Sequence, residues 1–237
     1  MTDPAPEYVA ARTVLIDALA ALGSQRKAII VVGAQAIYMH TEDGGIAGYS
    51  PYTTDADLAL APSWLADEPH IEKLLEDASF EQKGDPGIWW KTTTVDGTPR
   101  DVEVDIMVPE HFAPASGRRS VRLPPHDKMI VRKAIGLEGA ILDHDLMEVA
   151  ALDGSDPRRF TVRVAGPAAL VVAKVYKLRD RLVGRGAVDL MVQLFGSRDA
   201  DGVRMARDAL RIAVPPERII DVCTGFIRQL REAMSDA

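Results

Sequence analysis

The stretch that decides the fold reads Tyr52-Thr53-Thr54-Asp55-Ala56-Asp57-Leu58-Ala59-Leu60. Polar and apolar residues alternate along it, which is typical of a half-buried β-strand. Such a strand places Asp55 and Asp57 on one face and the alternating apolar residues on the other. Two carboxylates on one strand face repel each other unless a cation or a shared proton neutralises them. The stretch therefore predicts either a cation site or an acidic strand face that is simply solvated.

A second stretch repeats the pattern and reads Asp101-Val102-Glu103-Val104-Asp105-Ile106-Met107-Val108. Here Glu103 and Asp105 are predicted to share the polar face, with apolar residues between and after them. Mg²⁺ prefers oxygen ligands, and pairs of Mg²⁺ ions bridged by carboxylates are common in phosphoryl and nucleotidyl transfer. Two acidic strands of matching alternation therefore favour a Mg²⁺-binding face over a merely solvated one.

A buried strand followed by a helix precedes the acidic strand. The β-branched run Ala28–Val32 ends at Gly33, and residues 34–40 have the pattern of a helix start. The first backbone N–H groups of a helix have no partner within the helix, so a junction of this kind suits phosphate. Many α/β turns look alike, and the junction alone is a weak signal.

The whole chain has the composition of a globular protein of 237 residues, with 47% hydrophobic and 27% charged residues. Its net charge of -7 argues against a protein that coats nucleic acid, although a local basic cleft is compatible with it. The polar start Met1–Glu7 is unlike a secretory signal, and no apolar run approaches the length of a membrane span. With Cys223 as the single cysteine, no intrachain disulfide can form. We expect a cytoplasmic protein without a membrane partner.

The order of elements predicts an α+β fold, close to α/β, in two parts. Residues 1–115 would form an α/β half and residues 116–237 a mostly helical half, joined by the Pro- and Gly-containing stretch His111–Pro125. The patterns predict helices over 7–26, 68–77 and 128–140, a hairpin of strands 88–95 and 102–108, and short strands over 146–152 and 160–165.

A row of basic residues follows on the helix predicted from Pro167. Four of them fall within one narrow stripe at helical spacing: Lys174, Lys177, Arg181 and Arg185. The stripe borders the apolar face, so its cations are well placed to line a cleft. The alternative is that long basic side chains merely extend to solvent from the edge of the buried face.

These features together resemble the nucleotidyltransferase superfamily, and more narrowly the AbiEii/MenT-type nucleotidyltransferase toxins. The resemblance covers roughly residues 28–195. Gly33-Ala34-Gln35-Ala36 stands at the family's Gly-Gly or Gly-Ser helix start, Asp55-Ala56-Asp57 at its D-x-D, and Asp105 at its third carboxylate. Lys174, Arg181, Arg185 and Asp189-Leu190 match the spacing of its Lys-bearing helix motif. The chain departs from the family at Ala34, at the long loop before Asp55 and at Gly186.

The resemblance implies a polymerase-β-like core with a small mixed sheet, followed by a mostly helical region that completes the cleft. It implies transfer of a nucleoside monophosphate from a nucleoside triphosphate to an acceptor hydroxyl, with two Mg²⁺ ions on Asp55, Asp57 and Asp105. Asp105 would also be the general base, and Lys174 would be catalytic through neutralising phosphate charge. The implied nucleotide-binding residues are Gly33, Ala34, Lys174, Lys177, Arg181 and Asp189.

The family also implies an RNA acceptor, such as the 3′ end of tRNA, and an antitoxin protein as partner of a toxin. Two alternatives remain open from the residues. One is a nucleotidyltransferase that modifies a small molecule or a protein hydroxyl. The other is a non-catalytic nucleotide-binding domain of the same fold, which Ala34 favours and which the three aspartates disfavour.

Overall fold

The computed structural model describes residues 4–41, 52–112, 121–152, 154 and 156–182. The chain divides into two compact units, Met1–Lys174 and Val175–Ala237. The first unit holds the whole sheet, and of the second only the end of one helix is described.

A single mixed sheet of eight strands forms the centre of the first unit. Its order is β3-β4-β5-β2-β1-β8-β7, and β6 pairs with β5. The strands are β1 Ile29–Val32, β2 Asp55–Leu60, β3 Glu81–Gln82, β4 Ile88–Val95, β5 Thr98–Pro109, β6 Arg132–Ala134, β7 His144–Ala150 and β8 Arg159–Ala165.

Parallel and antiparallel pairs are mixed within the sheet. β2 runs parallel to β5 and antiparallel to β1, while β8 runs parallel to β1. β4 and β6 both pair with β5, β4 antiparallel through Ile88 and β6 parallel from Met107 onward. The start of β2 therefore lies at the same edge of the sheet as the ends of β1 and β8.

Helices and short turns connect and cover the strands. The helices are α1 Pro6–Leu22, α2 Gly33–His40, α3 Ile71–Asp77, α4 Glu138–Leu142 and α5 Pro167–Leu182. α1 packs on β2, β4 and β5 and buries Val14, Leu15, Leu19 and Leu22 completely. β1 is buried at all four residues, as its β-branched run predicts. No helix among the described residues has both the length and the apolar character needed to cross a membrane.

The buried Arg12 ties α1 to α2. Its Nε donates to Gln35 Oε1 at 2.8 Å and one Nη donates to the Tyr8 hydroxyl at 2.5 Å. The other Nη donates to the carbonyl oxygen of Ala150 at 3.3 Å. A buried guanidinium needs partners for its donors. This set fixes α2, and with it the β1–α2 junction, against the core.

The predicted hairpin is confirmed in outline. β4 and β5 pair antiparallel, and Asp96-Gly97 forms the two-residue turn between them with positive φ at both positions. A turn of this type suits the twist of a hairpin and favours Gly at its second position. The strands predicted over 146–152 and 160–165 are also confirmed, as β7 and β8.

The helix predicted over 128–140 is wrong. Residues 124–130 form turns, β6 follows at Arg132–Ala134, and a helix begins only at Glu138. Gly136 has a φ of 82° and interrupts the apolar pattern that suggested one continuous helix. The consequence is that Arg132 lies on a strand beside β5.

The mixed helix and strand content confirms the α+β class. Residues 121–165 contribute β6, β7 and β8 to the same sheet as the N-terminal strands, and the first compact unit extends across the predicted boundary at 115/116. Of the region predicted to be mostly helical, residues 183–237 lie outside the described residues.

Candidate active site on the acidic face of the sheet

Four carboxylates meet where β2 and β5 pair. In this parallel pair, Asp55 stands beside Glu103 and Asp57 beside Asp105. Side chains of alternate residues share a face of a sheet, and neighbouring strands lie about 4.8 Å apart. Asp57 and Asp105 are 7% and 5% exposed. We call these four residues the acidic face; burial sharpens their mutual repulsion and calls for a cation.

Gly33, at the start of α2, lies directly against Asp57. It adopts a φ of 71°, and a Cβ at this position would lie 2.7 Å from Asp57 Cγ and closer still to one carboxylate oxygen. Only glycine combines this conformation with this approach. The N-cap residue of α2 is Val32, whose apolar side chain makes no capping hydrogen bond. The β1–α2 junction thus brings the start of a helix to the acidic face.

The chain that enters β2 is fixed by two hydroxyl groups. The Tyr38 hydroxyl donates to the carbonyl oxygen of Tyr52 at 2.9 Å and accepts from the Tyr52 N–H at 3.1 Å. The buried Thr53 donates its hydroxyl to Asp55 Oδ1 at 2.5 Å. These contacts hold the first carboxylate of the acidic face in a defined orientation.

Arg132 forms a two-point ion pair with Asp105. Its Nε donates to Asp105 Oδ1 at 2.8 Å, and one Nη donates to Oδ2. Burial on its own would lower the pKa of Arg132, but the hydrogen bonds and the negative charge of Asp105 outweigh it and raise that pKa. The charges of Asp57 and Glu103 act in the same direction, which places the guanidinium in the field of the acidic face.

The backbone around Gly87 holds Arg132 in place. Gly87 donates its N–H to the carbonyl oxygen of Met129 at 2.9 Å and accepts from the Ile106 N–H at 2.8 Å. A Cβ on Gly87, where φ is 82°, would lie 2.6 Å from the Ile106 carbonyl oxygen and 2.7 Å from the backbone nitrogen of Arg132. The buried Trp89 donates its indole N–H to the carbonyl oxygen of Ile130 at 3.2 Å. Gly87 thus bonds both β5, through Ile106, and the segment before β6, through Met129, and it holds the two close together.

The predicted pair of Mg²⁺ ions can be compared with these donors. Within the described residues, no group of three or more His, Cys, Asp or Glu side chains is arranged to hold a metal ion. Both oxygens of Asp105 accept from Arg132. The all-oxygen pair of Asp55 and Asp57 matches the ligand preference of Mg²⁺. The donor set therefore fits an ion at Asp55 and Asp57, whereas both oxygens of Asp105 already have a cationic partner in Arg132.

The structure describes some of the predicted nucleotide-binding residues and not others. Gly33 and Ala34 open α2. Lys174 and Lys177 lie on α5 and are exposed. Arg181 belongs to α5, but its side chain lies outside the described part, as do Arg185 and Asp189 altogether.

The start of α5 lies at the same sheet edge as the start of β2, because β8 is parallel to β1. His40, the last residue of α2, contacts the carbonyl oxygen of Ala165 through Nε2 at 2.9 Å. One backbone N–H group in the first turn of α5 already has a partner, since Asp143 Oδ2 accepts from the Ala169 N–H at 2.8 Å.

A further group of basic residues, Arg158, Arg159 and Arg163, is engaged by contacts within the chain. Arg158 bonds Asp156 and Asp17, Arg159 bonds Glu148, and Arg163 donates to the carbonyl oxygen of Lys27. These partners account for the cluster without a polyanion. Arg118 and Arg119 lie outside the described residues.

Sequence reasoning missed Arg132 and Gly87 as parts of the site. A three-residue strand gives no periodicity, so β6 left no signal of its own. The adjacent β-branched residues Ile130 and Val131, followed by Gly136 and Gly139, are the available sign that residues 128–140 do not form a continuous helix.

Comparison of the chain with protein-family models, with curated proteins and with solved structures finds no match.

Proposed function

We propose that this protein is a Mg²⁺-dependent nucleotidyltransferase, which moves a nucleoside monophosphate from a nucleoside triphosphate to an acceptor hydroxyl. One observation carries the proposal: Gly33, at the start of α2, packs on Asp57, and Asp57 stands beside Asp105 in the pair of β2 and β5. A phosphate seat and an acidic cation site therefore adjoin each other.

Each part of this arrangement suits a bound triphosphate. The N–H groups at the start of α2 are donors for phosphate oxygens, and the helix dipole favours negative charge there. Mg²⁺ held by Asp55 and Asp57 would neutralise phosphate charge as it is transferred. In phosphoryl transfer, catalysis is mainly positioning and charge neutralisation, so a rigid sheet edge is a suitable platform.

The direct test is transfer of label from each α-³²P-nucleoside triphosphate to bulk tRNA in the presence of Mg²⁺. We expect label on RNA with the wild type and a loss of about 10²-fold or more with Asp57→Asn. Asp101→Asn is the matched control, because it makes the same change on β5 at an exposed position and should leave transfer intact. Full transfer by a folded Asp57→Asn protein would refute the proposal.

An RNA acceptor, such as the tRNA 3′ end, is part of the proposal and rests on the family resemblance together with the exposed Lys174 and Lys177 on α5. Lys174 would neutralise phosphate charge there. A role as a toxin with a separate antitoxin partner follows from the same resemblance. Label that appears on a small molecule or on protein, and not on RNA, would keep the chemistry and replace the acceptor.

A second candidate is a nucleotide-binding domain without turnover. The bidentate pair of Arg132 and Asp105 favours it, because both oxygens of the predicted general base are engaged. Mg²⁺-dependent triphosphate binding, without label transfer to RNA, protein or small hydroxyl compounds, would establish this candidate in place of the first.

A further inference from the structure

The acidic face already contains one built-in cation. Arg132 contacts both oxygens of Asp105, and its pair is largely buried, with side-chain exposures of 22% for Arg132 and 7% for Asp105. Planar two-point pairs of guanidinium and carboxylate are among the strongest ion pairs in proteins. Asp105 therefore has a partner that does not depend on any ligand.

The backbone is arranged to keep this cation where it is. Pairing of Met107 with Arg132 places the start of β6 two residues along β5 from Asp105. Gly87 leaves space for the Arg132 backbone that any other residue would fill. Trp89 and Gly87 fix the segment before β6 through the carbonyl oxygens of Ile130 and Met129. The strand pairing, the close approach at Gly87 and the two hydrogen bonds therefore all fix the backbone that carries Arg132.

We propose that Arg132 is the permanent counter-cation of Asp105, so that the acidic face takes one divalent cation, at Asp55 and Asp57, and not two. The inference rests on the proposed function for the role of that ion. Arg132 is then a positioning residue. Asp105 binds Arg132 and is not a metal ligand. Arg132 supplies one fixed positive charge within the electrostatic field of Asp57.

Counting bound ions tests this without any turnover. The full chain is titrated with Mn²⁺ alone, and free Mn²⁺ is followed by electron paramagnetic resonance. We expect one ion per chain in the wild type and none in Asp57→Asn. Asp105→Asn should retain the single ion and add no second one; its affinity should fall only modestly, through the loss of a neighbouring negative charge, whereas loss of a ligand, as in Asp57→Asn, should abolish binding.

Arg132→Met removes the cation that pairs with Asp105 and should allow a second Mn²⁺ ion to bind. Arg132→Lys keeps the positive charge and should leave one Mn²⁺ ion per chain. Circular dichroism establishes that each variant is folded. If Arg132→Met does not fold, the wild-type count and Asp105→Asn still decide the question.

Two ions in the wild type, or an unchanged count in folded Arg132→Met, would overturn the inference and leave nucleotidyl transfer untouched. No bound ion in the wild type would instead overturn the Mg²⁺ dependence of the proposed function, and this inference with it. The two failures are therefore distinguishable.

Discussion

Gly33 and Asp57 are in such close contact that a single added methyl group would occupy the space of the carboxylate. A Cβ at residue 33 would lie 2.8 Å from Asp57 Cβ and 2.7 Å from Asp57 Cγ. The two residues belong to separate elements, α2 and β2, which the antiparallel pair of Val32 and Asp57 brings together. The helix start and the acidic strand therefore form one rigid arrangement.

Gly33→Ala should abolish triphosphate binding and destabilise the fold. Strain at positive φ costs about 1 kcal/mol, and crowding of Asp57 adds about 1–3 kcal/mol. Gly84→Ala is the matched control, since Gly84 has a φ of 76° and a Cβ added there would meet no heavy atom within 4 Å. Urea unfolding and nucleotide binding measure both effects. Equal losses of stability in the two variants would contradict the close contact.

Gly87→Ala should displace β6 and with it Arg132. The added Cβ meets backbone atoms of Ile106 and Arg132, which cannot rotate away. We expect a loss of unfolding free energy about 2 kcal/mol larger than for Gly97→Ala, whose φ of 74° carries strain in open space. Hydrogen exchange at the Ile106 amide should rise in Gly87→Ala. An unchanged exchange rate there would show that β6 tolerates the methyl group.

Asp57→Asn should stabilise the metal-free protein or leave it unchanged, because it removes one of four neighbouring carboxylates from the acidic face. The gain in unfolding free energy is up to about 1 kcal/mol, as is common where a functional residue is replaced. Mg²⁺ should raise the melting temperature of the wild type and not that of the variant. A marked loss of stability in chelator would indicate a structural role for Asp57 instead.

Lys174→Ala should weaken triphosphate affinity by about tenfold, which corresponds to about 1.4 kcal/mol and to the loss of one contact with a charged group. Lys73→Ala makes the same change at an exposed residue of α3 and should have no effect. Fluorescent nucleotide titration measures both. An identical affinity in the two variants would remove Lys174 from the site.

Arg158→Met should reduce stability in a manner that depends on pH. Arg158 joins Asp156 to Asp17 of α1, and its hydrogen bond lowers the pKa of Asp156. A carboxyl with a lowered pKa stabilises the fold above its unfolded value, about 3.9, and loses that contribution as the pH falls through its folded value. The variant should therefore lose up to about 1 kcal/mol at neutral pH and approach the wild type in acid.

Urea unfolding at about pH 7 and about pH 3, on either side of the ordinary Asp value, measures this difference. Arg159→Met is the control, because Arg159 and Glu148 form an exposed pair of the kind that contributes little. A difference between wild type and Arg158→Met that persists undiminished in acid would exclude the carboxylate partners as its cause.

Local pattern is enough to predict the elements that carry the carboxylates. Alternation in β2 and β5, and the β-branched run of β1 ending at Gly33, indicate the correct strands. The stretch Asp96–Pro99 marks the hairpin, although the structure shortens its turn to Asp96-Gly97 and adds Thr98 and Pro99 to β5. These features depend on residues close together in the chain. Alternation alone therefore predicts the polar strand faces that carry Asp55, Asp57 and Asp105.

The partner of Asp105 could not be predicted in the same way. Arg132 reaches the acidic face because β6 pairs with β5 beyond the first residue of β4, and that pairing depends on a backbone approach at Gly87. No local periodicity encodes such a contact between distant parts of the chain. For the same reason, the pattern of residues 128–140 suggested a helix where long-range pairing produced a strand.

The position of Arg132 in the chain has a consequence for synthesis on the ribosome. Asp55, Asp57, Glu103 and Asp105 are all made before residue 132, and β8, which borders β1, comes later still. A growing chain that ends before β6 therefore carries Asp105 without Arg132, the cation that pairs with it in the complete fold. Domains generally form as complete units during synthesis. We expect nascent chains to acquire the sheet late, after residue 165 has left the ribosome, when Arg132 is already present to pair with Asp105.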